Sequence, residues 1–176
     1  TNDKIQLGAV NAPLLCVLSG PTQEIDDLHI KFNKLDINSK KLHTSHAFHS
    51  NMMNPIVEEY KEFVSKVNLR PPTLKIFSTV TGKLESDLFT KPDYWAEHMR
   101  KPVLFSDTIE KIIMEEDVIL IEVGPRSVLS VLTTKVANKN KLKNINIVST
   151  MSDQESMEDS YFLKALGGVW SYGQSF

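Results

Sequence analysis

The sequence predicts an α/β protein, and three observations carry that prediction. Leu14 to Leu18 and Val118 to Val123 are short runs of β-prone apolar residues bounded by turn formers. Met53, Ile56, Val57, Tyr60, Phe63, Val64 and Val67 recur at steps of three and four, the period of an amphipathic helix. The run at 118–123 contains a single Glu among apolar residues and is broken by Gly124-Pro125 before another helical pattern, which suits a buried parallel strand.

Taken in order, Ile5 to Val10 and Leu14 to Leu18 read as strands. Asn11-Ala12-Pro13 turns between them, because Pro13 fixes its own φ and pushes Ala12 out of the helical region. Thr22 to Lys34 reads as a helix with Ile25, Leu28, Ile30 and Phe32 among charges, and Lys40 to Thr44 as a strand. The amphipathic helix opens with Asn54 as cap and Pro55 as first residue, carries Glu58 and Glu59 early, and stops before Pro71-Pro72. Leu74 to Val80 is a strand closed by Gly82, followed by helices over Pro92 to Met99 and Val103 to Glu115. Phe105, Ile109, Ile112 and Ile113 share a face of the second of these. A helix over Ser127 to Val136 and a strand over Ile145 to Ser149 follow. The composition turns polar from Met151 to Glu158, marking a boundary, and Tyr161 to Tyr172 regains a helical pattern through Leu163, Leu166, Val169 and Trp170.

The bulk properties exclude several function classes. At 176 residues the chain suits one domain or a large piece of one. A net charge of −2, with lysines and acids interspersed, presents no basic face for nucleic acid. No apolar run approaches a membrane span and no signal-peptide pattern opens the chain. The single Cys16 excludes an internal disulfide and fits a reducing cytoplasm. Set inside Leu14 to Leu18, it is expected to be a small buried core residue rather than a nucleophile. The chain opens on Thr1, not Met, as expected of a piece of a longer protein.

The concentrated chemistry is Thr44-Ser45-His46-Ala47-Phe48-His49-Ser50, which with His43 holds three of the five histidines. Histidine is the side chain that takes and returns protons near neutral pH. A metal site from His43, His46 and His49 is the rival chemistry, but no carboxylate stands nearby and Cys16 is the only thiol, so no metal is expected.

This stretch, together with Leu69-Arg70-Pro71-Pro72, Ser78 to Gly82, Asp93-Tyr94-Trp95, Lys101 to Phe105 and Glu122 to Pro125, resembles the acyltransferase domain of modular polyketide synthases. The motifs stand in the family's order from about residue 5 to about residue 135. The resemblance implies part of an α/β hydrolase-like core with part of an inserted ferredoxin-like subdomain. Residues 1–44 would be the second half of that subdomain, 45–150 the carboxy-terminal part of the core, and 151–176 the start of the linker behind it.

The resemblance also implies a function: loading malonyl units from malonyl-CoA onto the phosphopantetheine thiol of an acyl carrier protein, through a serine-bound acyl intermediate. His49 corresponds to the catalytic base, and His98 to the residue whose backbone carbonyl orients it, the task of an aspartate in a serine triad. His98→Gln is therefore expected to be mild. His46-Ala47-Phe48-His49 matches the malonyl-selective form of the motif, with Phe48 filling the space of an α-methyl group, and Asn11 corresponds to a pocket-lining position. One methyl is worth only about 1–3 kcal/mol, so the selectivity would leak. Arg126 stands where the family carries a second glycine, which would strain the turn if that position is left-handed. The implied partners are the carrier protein and the ketosynthase and linker of the same polypeptide, in the cytoplasm. No cofactor, metal, membrane or nucleic acid is implied.

No Gly-His-Ser-x-Gly elbow occurs in the chain, nor a position matching the family's carboxylate-binding arginine. The 176 residues alone are thus expected neither to load nor to transfer malonate, and to leave unpaired strand edges prone to aggregation. An acyl hydrolase on the same scaffold and a non-catalytic docking fragment are the alternatives.

Overall fold

A computed structural model describes residues 4–114, 118–142, 145–152 and 158–175. The chain forms two compact units, 1–108 and 109–176. The predicted boundary stretch of 151–158 lies mostly outside the described residues.

The first unit opens with an antiparallel hairpin, β1 (Gln6–Ala12) and β2 (Leu15–Ser19). β1 runs two residues further than its apolar pattern suggests, so the turn is Pro13-Leu14 and the register slips at Leu7/Ala9 and Val10/Ala12. Helix α1 (Thr22–Lys34) has the predicted bounds, with Glu24 in its first turn and Lys31 and Lys34 in its last, matching the helix dipole. The strand expected at Lys40 to Thr44 does not form. That segment carries no ladder; Leu42 is exposed, and the segment is tied down by the Lys41–Asp26 ion pair.

A 3-10 turn, Asn51–Met53, leads into α2 (Asn54–Ser65), so the cap of α2 is Met53 and Asn54 lies one residue inside the helix. The broad apolar face of α2 is only half covered. Met53 and Val64 are buried, whereas Ile56, Tyr60, Phe63 and Val67 remain exposed. β3 (Ile76–Ser78) pairs with β4 (Lys83–Glu85), a hairpin closed by Gly82 at φ +63°. β4 is three residues long, too short for a readable alternation.

Helix α3 (Pro92–Arg100) packs on α2 and closes the unit's aromatic core. Buried Tyr94 meets Phe89 and Trp95 edge to face, at ring-centroid distances of 5.0 and 5.3 Å. Its hydroxyl shares a 2.9 Å hydrogen bond with Ser78 Oγ, and Trp95 Nε1 donates to the Phe89 carbonyl. After α3 the chain makes one parallel bridge beside β1. Val10 N–H donates to Val103 O at 2.8 Å, and Val103 N–H to Gly8 O at 3.0 Å. Helix α4 (Phe105–Ile113) begins there and buries Ile109 and Ile113 of its predicted face.

The second unit contains the parallel pair β5 (Ile119–Glu122) and β6 (Asn146–Ser149), with α5 (Val128–Lys139) between them in sequence and α6 (Glu158–Ser171) after them. Val148, Ala165 and Val169 form a buried cluster with Ile119 against it, so α6 lies over β6. Among the described residues every sheet has two strands, and every strand is an edge strand. No helix among them is long and apolar enough to cross a membrane.

Glu122 joins the end of β5 to the start of α5. The α5 cap residue, Ser127, makes no side-chain capping bond, and the Glu122 carboxylate accepts from Leu129 N–H, Ser130 N–H and Ser130 Oγ at 2.9, 2.8 and 2.6 Å. Those amides belong to the orphan donors of a helix N-terminus. Burial favours the protonated acid, but the hydrogen bonds from Ser130 and Leu129 outweigh it and hold the Glu122 carboxyl below its ordinary value. Its folded-state pKa is depressed, so its stabilising effect is present above the ordinary carboxylate range and is lost as pH falls through the folded value. Glu122→Gln should cost roughly 1 kcal/mol at neutral pH, the scale of a lost cap. In urea melts the gap from the parent should close below about pH 4. Arg126 has φ +68°, the left-handed conformation in which an L side chain is strained. Arg126→Gly should therefore stabilise by roughly 0.5–1 kcal/mol, the relieved strain less the added chain entropy. An unchanged or lowered melting midpoint would contradict this.

Candidate active site

The histidine segment is irregular chain, and its backbone is held from both sides. Ser19, the last residue of β2, donates from Oγ to Phe48 O at 2.9 Å, and Ser50 donates from Oγ to Ala47 O at 2.6 Å. His49 N–H donates to Met99 O at 3.0 Å. Asn51 N–H donates to Gln6 Oε1 at 2.6 Å, and Ser50 Oγ accepts from Met52 N–H, capping the 3-10 turn. Arg100 Nη1 donates to Asn51 Oδ1 at 3.0 Å. Ser50 is 2% exposed, so its hydroxyl is a buried polar group with both roles met.

These anchors hold His49 at φ +60°. A left-handed backbone at a residue other than glycine costs on the order of 1–2 kcal/mol and persists where its neighbours over-determine it. Here the backbone from Ala47 to Met52 is tied at almost every residue. One of these ties shapes β1 itself: a Cβ on Gly8 would lie 2.5 Å from Ser19 Oγ, so the hydroxyl that holds Phe48 occupies the space of a missing side chain.

The His49 side chain makes one decisive contact. Its Nδ1 lies 2.9 Å from the backbone carbonyl of Lys101. A carbonyl only accepts, so Nδ1 carries the proton and Nε2 presents a lone pair. The arrangement is a half-buried imidazole with its tautomer fixed and its second nitrogen ready to take a proton.

The orienting carbonyl thus belongs to Lys101 and not to His98, which corrects the assignment made by resemblance. The reason is local. Lys101 precedes Pro102, which disfavours the helical region for it, and Lys101 sits at φ −76°, ψ 154° as the residue ending α3. Its carbonyl therefore turns out of the helix, while its N–H still closes the last turn on Glu97 O at 2.7 Å. His98 lies beside His49 through its ring instead, with centroids 6.3 Å apart at an interplanar angle of 72°. Burial, and then the neighbouring His49, lower the His98 pKa and keep its ring neutral.

The remaining predicted residues are placed as follows. Phe48 is 45% exposed, not a core residue, and packs edge to face with His46 at 5.8 Å. His46 is exposed, with Nδ1 3.0 Å from Ser45 Oγ. Ala47 is half-buried, as is Asn11, which stands one residue before the end of β1. His43 is exposed, and no group of three His, Cys, Asp or Glu among the described residues could hold a metal ion. Cys16 is exposed, which corrects the buried position expected of it. Its hairpin has two strands, and Leu14 and Leu15 beside it are exposed as well. A pocket of about 220 Å³ adjoins the segment, lined by Lys4, Gln6, Pro21, Ser50, Asn51 and Met52, and His49 is not among its walls. Ser19, Met99 and Lys101 were not legible as site residues. Only Lys101 carried a signal, its place before Pro102.

Residues 1–169 match the family model described as the acyl transferase domain. The chain is 30% identical over 171 residues to a component of the phenolphthiocerol/phthiocerol polyketide synthase of Mycobacterium tuberculosis, covering 97% of this chain and 12% of that protein. It superposes on the crystal structure of the acyl transferase domain of SpnD in complex with 2-(pent-4-yn-1-yl)malonyl at a TM-score of 0.92 and 28% identity. That match covers 98% of this chain and 42% of the other. The malonyl CoA-acyl carrier protein transacylase of Clostridium perfringens shares the fold at a TM-score of 0.75 and 23% identity, covering 95% and 51% of the two chains.

The left-handed backbone at His49 gives a test independent of catalysis. His49→Ala and His49→Gly both remove the bond to Lys101, but only alanine keeps the strain. The glycine variant should be the more stable of the two by roughly 1 kcal/mol in denaturant titrations. Equal stabilities would show that the site does not hold this conformation in solution.

Proposed function

Because the chain belongs to the acyl transferase domain family, we propose that it contributes the base-bearing part of a polyketide synthase acyltransferase that moves malonyl units from malonyl-CoA to the phosphopantetheine thiol of an acyl carrier protein. The observation that carries this reading is the 2.9 Å contact of His49 Nδ1 with the Lys101 carbonyl, which reserves Nε2 for proton transfer. In this reading residues 1–44 are part of a ferredoxin-like subdomain, here β1, β2 and α1, with no third strand among the described residues. Residues 45–150 are part of a hydrolase-like core, and 151–176 begin a linker. The setting is cytoplasmic, with the carrier protein, ketosynthase and linker as neighbours.

The nucleophile is a serine outside this chain, whose sequence contains no Gly-His-Ser-x-Gly elbow. His49 Nε2 takes the serine hydroxyl proton as the serine oxygen attacks the thioester carbonyl. The tetrahedral intermediate then expels the coenzyme A thiolate, which receives that proton from the imidazolium, leaving malonyl-serine. In the second half the carrier thiol gives its proton to Nε2 and attacks the serine ester, and the serine oxygen recovers the proton as it leaves. The Lys101 carbonyl supports the imidazolium without becoming charged. Asn11, His46, Ala47 and Phe48 form the selecting side of the site, where the exposed Phe48 ring takes the space of an α-methyl group.

The test is covalent loading from radiolabelled malonyl-CoA. This chain alone should give no adduct. Joined to the amino-terminal part of a related acyltransferase domain it should load, and His49→Ala in that fusion should slow loading about 10²–10⁴-fold. Phe48→Ser should shift the choice between malonyl- and methylmalonyl-CoA by roughly 10–200-fold. An adduct on the chain alone, or unimpaired loading by His49→Ala, would remove this assignment.

A further inference from the structure

The last turn of α3 meets His49 three times. Met99 accepts from its amide, Lys101 accepts from its imidazole, and His98 lays a ring against that imidazole. A hydrogen bond through Nδ1 fixes one atom of a five-membered ring. It leaves the ring free to swing about that contact, and a half-turn about χ2 would put a carbon where the bonded nitrogen was. The His98 ring stands at 72° to the His49 ring, the edge-to-face arrangement that aromatic pairs prefer, and a His49 ring that turned would give up that contact.

The His98 ring is itself held. It lies against Tyr94 four residues earlier and Trp95 three residues earlier in tilted contacts, ring centroids 6.0 and 6.3 Å apart, at the spacings that bring side chains together on one helix face. Tyr94 is bonded to Ser78 and Trp95 to the Phe89 carbonyl, so both supports are fixed to the unit's aromatic core. Carrying no charge, the ring can stand beside an imidazolium without opposing it, which a lysine or arginine could not do.

We infer that His98 is a positioning residue: its side chain, locked by Tyr94 and Trp95, holds the His49 imidazole in the single orientation that bonds Lys101 and presents Nε2. This rests on the reading of His49 as the base. It also replaces the expectation that the His98 side chain is incidental, since the groups it would act through are its ring contacts and not its carbonyl.

The test reads the His49 ring without any substrate. The full chain is labelled with ¹⁵N and its imidazole nitrogen shifts are recorded at neutral pH, with His49→Gln identifying the resonances. The parent should show His49 as one Nδ1–H tautomer, and His98→Phe, which keeps a ring, should preserve it. His98→Ala and His98→Gln should average the two His49 tautomers while the backbone amide spectrum stays folded, and using both guards against one failing to fold. A single Nδ1–H tautomer in either folded ringless variant overturns the inference. So does averaging in the parent, or in His98→Phe to the extent seen in His98→Ala. Loading by His49→Ala tests the base and the tautomer tests its positioning, so either can fail without the other.

Discussion

The hydrogen bond from His49 Nδ1 to the Lys101 carbonyl is the constraint on which the site depends. It decides which nitrogen carries the proton, and so whether the imidazole can act as a base. For that bond to form, a loop residue and the end of a helix 52 positions later must be held within a fraction of an ångström. The surrounding structure supplies this in two ways. The bridge of Val103 to Gly8 and Val10 ties the chain just beyond Lys101 to β1, and the Ser19 hydroxyl ties Phe48 to β2. The hairpin β1–β2 is thus the common frame for both partners of the bond.

The histidine segment accepts a local cost for this geometry. Its left-handed backbone is unfavourable in isolation, but the hydrogen bonds at Ala47, Phe48, His49, Asn51 and Met52 leave the chain no relaxed alternative. Gly8 is part of the same arrangement, because a side chain there would displace the Ser19 hydroxyl. The second unit shows a parallel use of one polar side chain to organise backbone. Glu122 satisfies the first amides of α5, and its own carbonyl accepts from Thr150 N–H and Oγ1, both at 3.0 Å.

Much of this was legible in the sequence where the determinants are local. The bounds of α1 follow from Pro21 and the charge placement, and α3 begins at Pro92 and stops before Pro102 as those residues require. The apolar run at 118–123 does form a parallel strand, but not the buried one expected: Ile121 and Val123 are exposed and Ile119, Leu120 and Glu122 half-buried. What was not legible depended on neighbours distant in sequence. Lys40 to Thr44 has the composition of a weak strand but no ladder partner, and Cys16 has an apolar setting but lies exposed on a two-stranded hairpin. β4 was too short to show a period. The misplacement of the orienting carbonyl at His98 has a different origin. Position in the resembled motif points to His98, whereas the residue before a proline is the one whose carbonyl leaves the helix, and that residue is Lys101.

An orienting group supplied by the main chain has an unusual genetic signature. Any residue brings a carbonyl to position 101, so a substitution scan would find that column open as long as the chain there stays extended. The adjoining column would not be open, because the ring of Pro102 keeps Lys101 extended and offers no N–H to draw the preceding turn back into the helix. The position that touches the imidazole and the position whose identity fixes it are therefore neighbours rather than one residue. A search of sequences for the acid of a serine triad would find neither.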